Sequence, residues 1–114
     1  MKVTNLRTKE VTHMASFHSK SLDRLFEAIL HLESVDECYN FFEDVCTINE
    51  VQDMAQRFDV ALMLDEGKNY QSIAKEVNVS TATISRVSRC LNYGSGGYRN
   101  AIEKIKSAKE DKAK

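Results

Sequence analysis

Not one proline occurs in the 114 residues of this chain, and glycine occurs only at Gly67, Gly94, Gly96 and Gly97. Proline breaks the interior of a helix and glycine weakens it, so little in this sequence stops a helix once it has begun. The interruptions fall at two places, Gly67 and the hinge "GSGG" at Gly94–Gly97. A β architecture of many short strands needs more turn residues than this. The chain is therefore expected to be all-α.

Apolar residues recur at helical spacing. Leu22, Leu25, Phe26, Ile29 and Leu32 form one stripe, and Val35, Tyr39, Phe42, Val45 and Cys46 form the next. "SVDE" at Ser34–Glu37 and "TINE" at Thr47–Glu50 both have the form of a capping box. After Thr47 comes a long helix carrying Val51, Met54, Ala55, Phe58, Leu62 and Met63, stopped at Gly67. Phe41 and Phe42 are adjacent and cannot both face one partner helix. The apolar surface of these three helices is large for a short chain, which points to a helical dimer. Beyond the glycine hinge, Tyr98, Ile102 and Ile105 mark a last amphipathic helix.

The net charge of −1 conceals a strong asymmetry. Ser21–Glu66 holds twelve acids against Arg24 and Arg57, a local net of −10; Gly67–Arg99 holds Glu76 against five bases, a net of +4. A basic module on an acidic body draws an anionic partner to one side. No apolar run is long enough to cross a bilayer, and no signal-peptide pattern is present. Cys38, Cys46 and Cys90 lack C-x-x-C spacing and read as reduced thiols of a cytoplasmic protein, with no metal site. Residues 1–17 are expected to be a flexible arm, in which His13–Met14 is either an appended junction or chance. One domain is expected over 18–108, and a disordered tail over 109–114.

The basic segment has an organisation of its own. "YQSIAKEV" (Tyr70–Val77) is a short helix capped by Asn69, and "TATISRVSRCLNY" resumes as a second helix after the turn "NVS". Two short helices joined by three residues form a helix-turn-helix unit. Counting from Tyr70, Ala74 falls where the helices cross and only a small side chain fits. Asn78 falls in the turn, where a left-handed backbone is needed and Asn is the best choice after Gly. Ile73, Val77, Val79, Ile84 and Val87 fall at the positions that pack the two helices together.

With Ile84 and Val87 inward, the second helix (about 80–93) turns Ser80, Thr81, Ala82, Ser85, Arg86 and Arg89 outward. Hydroxyls and arginines of this kind bond to base edges or phosphates, and the Ala82 or Thr81 methyl groups meet a thymine methyl. The helix N-terminus adds backbone donors for a phosphate. Gln71, at the start of the first helix, is placed for the flanking backbone or an adenine. Ser80 also has the bland role of an N-cap. The face is expected to read double-stranded DNA.

From Leu25 to Ile105 the chain resembles the Trp repressor-like superfamily, on the T-x-x-E box at Thr47, on Gln56–Arg57 in a helix ending at Gly67, and above all on "ATISR" at Ala82–Arg86. It is more similar to the Gram-positive members than to the tryptophan repressor itself. The resemblance implies a six-helix, intertwined homodimer whose two helix-turn-helix units meet successive major grooves of a palindromic operator, roughly 34–36 Å apart. It also implies an effector site at Thr47, Arg57 and Arg86, the two arginines flanking the ring of a tryptophan corepressor. A glycine that makes room for that ring is Val87 here, and a nearby serine is Cys90, so tryptophan is disfavoured while another small corepressor stays open. The alternative role for Arg57 is an ion pair with Asp53 one turn earlier.

These residues imply a dimeric transcriptional regulator, most simply a repressor that occupies its operator. The competing reading is a protein-interaction scaffold that works through the acidic helical body. His13, His18 and His31 have no partner pattern for catalysis, and no nucleophile elbow or phosphate loop is present, so an enzyme is not expected.

Overall fold

The computed structural model describes residues 17–113, and six helices with no strand run through them: α1 Lys20–Leu30, α2 Val35–Val45, α3 Ile48–Asp65, α4 Tyr70–Val77, α5 Thr81–Tyr93 and α6 Gly97–Ala113. The all-α expectation holds element by element. Apart from Phe17, the arm expected over 1–17 lies outside the described residues. Where one domain over 18–108 is expected, the chain divides into a unit ending at Val45 and a unit from Cys46 to Lys114.

In the first unit, α1 starts at Ser19, whose hydroxyl accepts the Leu22 N–H at 3.0 Å. Ahead of α2 the Ser34 hydroxyl accepts the Glu37 N–H at 3.1 Å. The Glu37 carboxylate accepts from the N–H of Glu33, not of Ser34, so the expected box closes one residue early. Phe41 and Phe42 meet edge to face with their centroids 5.4 Å apart. Even so, neither α1 nor α2 contains a buried residue. Leu30 is 82% exposed and Tyr39 73%. The apolar stripes are present, but among the described residues they are at most half-covered.

The second unit holds the core. At Thr47 both halves of the capping box form: the hydroxyl accepts the Glu50 N–H at 3.1 Å, and the Glu50 carboxylate accepts the Thr47 N–H at 2.8 Å. α3 ends in a Schellman turn, with Lys68 N–H on the Met63 carbonyl and Gly67 N–H on that of Leu64, Gly67 taking φ +88°. Val60 and Ala61 of α3, Ile73 of α4, Ile84, Val87 and Leu91 of α5, and Ile102 of α6 are buried together. Phe58 stacks on Tyr98 at 6.3 Å beside them. Only the second half of α3 carries core positions, so Met54 stays exposed, as does Ile105 on α6.

The expected disordered tail is not found over 109–113, because α6 continues through Ala113. Its last turns are rich in Ala, Lys and Glu, which rank among the strongest helix formers, with Ser107 and Asp111 between them. Among the described residues no helix is long and apolar enough to cross a membrane. The three cysteines are free.

Candidate nucleic-acid interface

α4 and α5 make the helix-turn-helix. The Asn69 side chain caps α4 by accepting the Ser72 N–H at 2.8 Å. Asn78 closes the helix at φ 61° and ψ 53°, the left-handed conformation expected of the turn, and its N–H reaches the Ala74 carbonyl at 2.9 Å. The carbonyl of Val77, at the same end, accepts from the side-chain amide of Gln56 on α3 at 3.3 Å. A part-buried helix end is thereby satisfied from a neighbouring element. Ser80 then caps α5 by accepting the Thr83 N–H at 3.2 Å, and its own proton goes to Thr83 Oγ1 at 3.2 Å. The capping role of Ser80 is thus the one its geometry displays.

Side chains advance by about 100° per residue around a helix. Ile84, Val87 and Leu91 fall on one side of α5 and are buried. The opposite side carries Thr81, Ala82, Ser85, Arg86 and Arg89, all exposed, and Gln71 is exposed on the first turn of α4. Of the six residues expected on one outward face, these five of α5 share it, and Ser80 stands before the helix as its cap. Tyr93, which the sequence shows only as an aromatic near the basic segment, joins that face and is 87% exposed. Its spacing of four from Arg89 and seven from Arg86 was the available signal.

The charges separate into two groups. Of the five bases between Gly67 and Arg99, Lys68 pairs with Glu76 at 3.3 Å and Arg99 with Asp65 at 3.1 Å. Lys75, Arg86 and Arg89 make no ion pair among the described residues. Glu76, the one acid of this stretch, is held by Lys68. The cations left over are thus those on the exposed faces of α4 and α5. Asp65 has its carboxyl held below the ordinary carboxylate value, first by the hydrogen bond from Lys106 at 2.5 Å and then by Arg99, against a desolvation effect of opposite sign.

The residues implied as an effector site have other surroundings. Thr47 Oγ1 is taken up by the Glu50 amide. Arg57 is half-buried and Arg86 exposed. The ion pair expected between Arg57 and Asp53 is not formed, and no acid pairs with Arg57 among the described residues. Asp53 is exposed, and a pair with one partner in water gains little and costs side-chain freedom, so its absence is not strained. Val87 is 1% exposed, its side chain packed into the core.

Known proteins are similar to this chain. YerC, an uncharacterised protein of Bacillus subtilis strain 168, is 53% identical over 92 residues, which cover 81% of this chain and 88% of that protein. The crystal structure of a TrpR-like protein from Eubacterium eligens superimposes with a TM-score of 0.77 at 50% identity, covering 80% of this chain and 94% of that one. A crystal structure of a Staphylococcus aureus relative gives 0.78 at 44% identity, covering 82% and 93%. The sequence profile of the Trp repressor proteins matches residues 20–106, from the first residue of α1 to Lys106 on α6. With the helix order, the left-handed turn and the solved relatives in agreement, the chain belongs to the Trp repressor protein family.

Proposed function

We propose that the protein is a dimeric, sequence-specific DNA-binding regulator that represses by occupying a palindromic operator. One observation carries the reading: the outward face of α5 bears Ala82, Ser85, Arg86 and Arg89 with no acid among them, while Ile84, Val87 and Leu91 anchor the helix from behind. In a major groove, Arg86 and Arg89 would read guanine or clamp phosphate, and Thr81 and Ser85 would bond to base edges or backbone. Gln71 would meet the flanking strand.

The dimer is supported by α1 and α2, whose apolar stripes contain no fully buried residue among the described residues. A second copy of the same stripes would cover them, and a two-fold pair would set its α5 helices one helical turn of DNA apart, roughly 34–36 Å. Tryptophan is not proposed as the corepressor, because Val87, a core residue here, stands where the family resemblance implies a glycine that makes room for the ring. A different small molecule on Arg57 and Arg86 would meet two cations that have no ion-pair partner among the described residues.

The test is selection of bound sequences from a random duplex pool. A recovered palindrome with half-sites one turn apart is the expected result. The acidic body favours a second reading, a scaffold that binds protein partners. Recovery of nothing above background, with and without amino acids, would favour it instead.

A further inference from the structure

α5 has no basic residue in its own last turn. A helix C-terminus carries partial negative charge and carbonyls without intrahelical partners, so donors or a cation stabilise it. The Cys90 carbonyl is taken by the Gly94 N–H at 2.9 Å. The next carbonyl, that of Leu91, accepts from Arg99 Nη2 at 3.4 Å. The same nitrogen donates to Asn92 Oδ1 at 3.4 Å, and Nη1 donates to Asp65 Oδ1 at 3.1 Å. One guanidinium on α6 thus ties the last turn of α5 to the last residue of α3. Asp65, only 14% exposed, is held on its other oxygen by Lys106 at 2.5 Å.

From these contacts we infer that Arg99 is a positioning residue for DNA reading, an inference that rests on the groove-reading role proposed for α5. The side chains that would meet the groove lie between Thr81 and Arg89. The clamp sits beyond them at Leu91 and Asn92, on the far end of a rod about 20 Å long. A small rotation there moves Arg86 and Arg89 across base edges. The apolar contacts of Ile84, Val87 and Leu91 hold α5 down but are non-directional. The planar fork of Arg99 is directional, and its geometry satisfies acceptors from two helices at once. Lys106 makes the useful contrast, since its ammonium bonds to Asp65 and makes no hydrogen bond to α5 among the described residues.

The experiment titrates full-length wild type, Arg99→Lys, Asp65→Asn and Lys106→Gln against the selected duplex and a scrambled duplex of equal length. Arg99→Lys keeps the charge and loses the fork. It and Asp65→Asn are expected to lower the ratio of specific to non-specific affinity about tenfold, the loss of roughly one matched base pair, with scrambled-duplex binding unchanged. Lys106→Gln is expected to keep the wild-type ratio. An unchanged ratio in Arg99→Lys, or an equal fall in all three variants, would overturn the positioning role. If Arg99→Lys does not fold, Asp65→Asn carries the same comparison. Amide exchange at Asn92 and Tyr93 in the DNA-free protein must then quicken for the inference to stand. A wild type that does not distinguish the two duplexes would instead overturn the DNA-reading proposal, so the two failures are told apart.

Discussion

Gln56 donates its side-chain amide to the carbonyl oxygen of Val77, 3.3 Å away and twenty-one residues along the chain. This bond joins the middle of α3 to the last turn of α4, at the point where the helix-turn-helix bends. Replacing Gln56 by Met keeps the bulk and removes the donor, leaving a part-buried carbonyl unsatisfied. A loss of about 1 kcal/mol is expected in chemical denaturation, with the α5 face chemically unaltered.

Arg86→Ala and Arg89→Ala test the interface directly. An arginine that reads a base is expected to cost about 1–3 kcal/mol on the selected site and to relax preference at one position. An arginine that meets only phosphate is expected to weaken all sequences alike and to lower the salt slope by about one. Titration over a salt series separates the two. Equal binding by the wild type and the double alanine variant would remove α5 from the interface.

The wild type is expected to show no rise in melting temperature with tryptophan, because Val87 is packed in the core at 1% exposure. Val87→Gly deletes three buried carbons and places glycine inside a helix, for a loss of about 3 kcal/mol. Calorimetry of this variant with tryptophan then reads the opened space. Binding would show that Val87 alone closed the pocket, and no binding that Thr47, Arg57 and Arg86 no longer form one.

The acid side of the stability profile is expected to bear the mark of Asp65, whose carboxyl is held below its ordinary value chiefly by Lys106. A depressed carboxylate contributes fully above its unfolded value of about 3.9 and loses its contribution as pH falls through the lower folded value. Asp65→Asn is therefore expected to be less stable than wild type at pH 7. The gap should close as pH falls below about 4, measured as midpoints in urea at each pH.

Gly94 and Gly97 are expected to respond oppositely to alanine. A Cβ on Gly94 would lie 2.4 Å from the Cys90 carbonyl oxygen, whereas one on Gly97 meets nothing within 4 Å. Gly94→Ala is expected to cost about 1–3 kcal/mol and Gly97→Ala to stay within about 0.5 kcal/mol. Thermal melts of the two variants make the comparison.

What the sequence disclosed, and what it hid, divides by range. The Thr47 box, the left-handed Asn78 and the buried Ile73, Ile84 and Val87 depend on neighbours within a turn or two, and all were legible. The six-helix order followed from the same local signals. Gln56 to Val77 and Arg99 to Asp65 span many residues, and no periodicity announces them. The "GSGG" segment was read for its freedom, but Gly94 serves a close approach to a carbonyl, which only the folded structure discloses. The Arg57–Asp53 pair failed for the reverse reason: correct spacing permits a pair with the exposed Asp53 without making it worth forming.

The two ends of the charge asymmetry respond to salt with opposite sign. In the proposed dimer, stretches of −10 approach one another through α1 and α2, and ions that screen them favour assembly. The same ions compete with Arg86 and Arg89 for phosphate and favour release. Operator occupancy at low protein concentration should therefore trace a bent line on a double-logarithmic salt plot, rising where assembly limits it and falling where counterions do. Such a protein would be tuned to one band of ionic strength, as an osmotic shift on either side would empty its site.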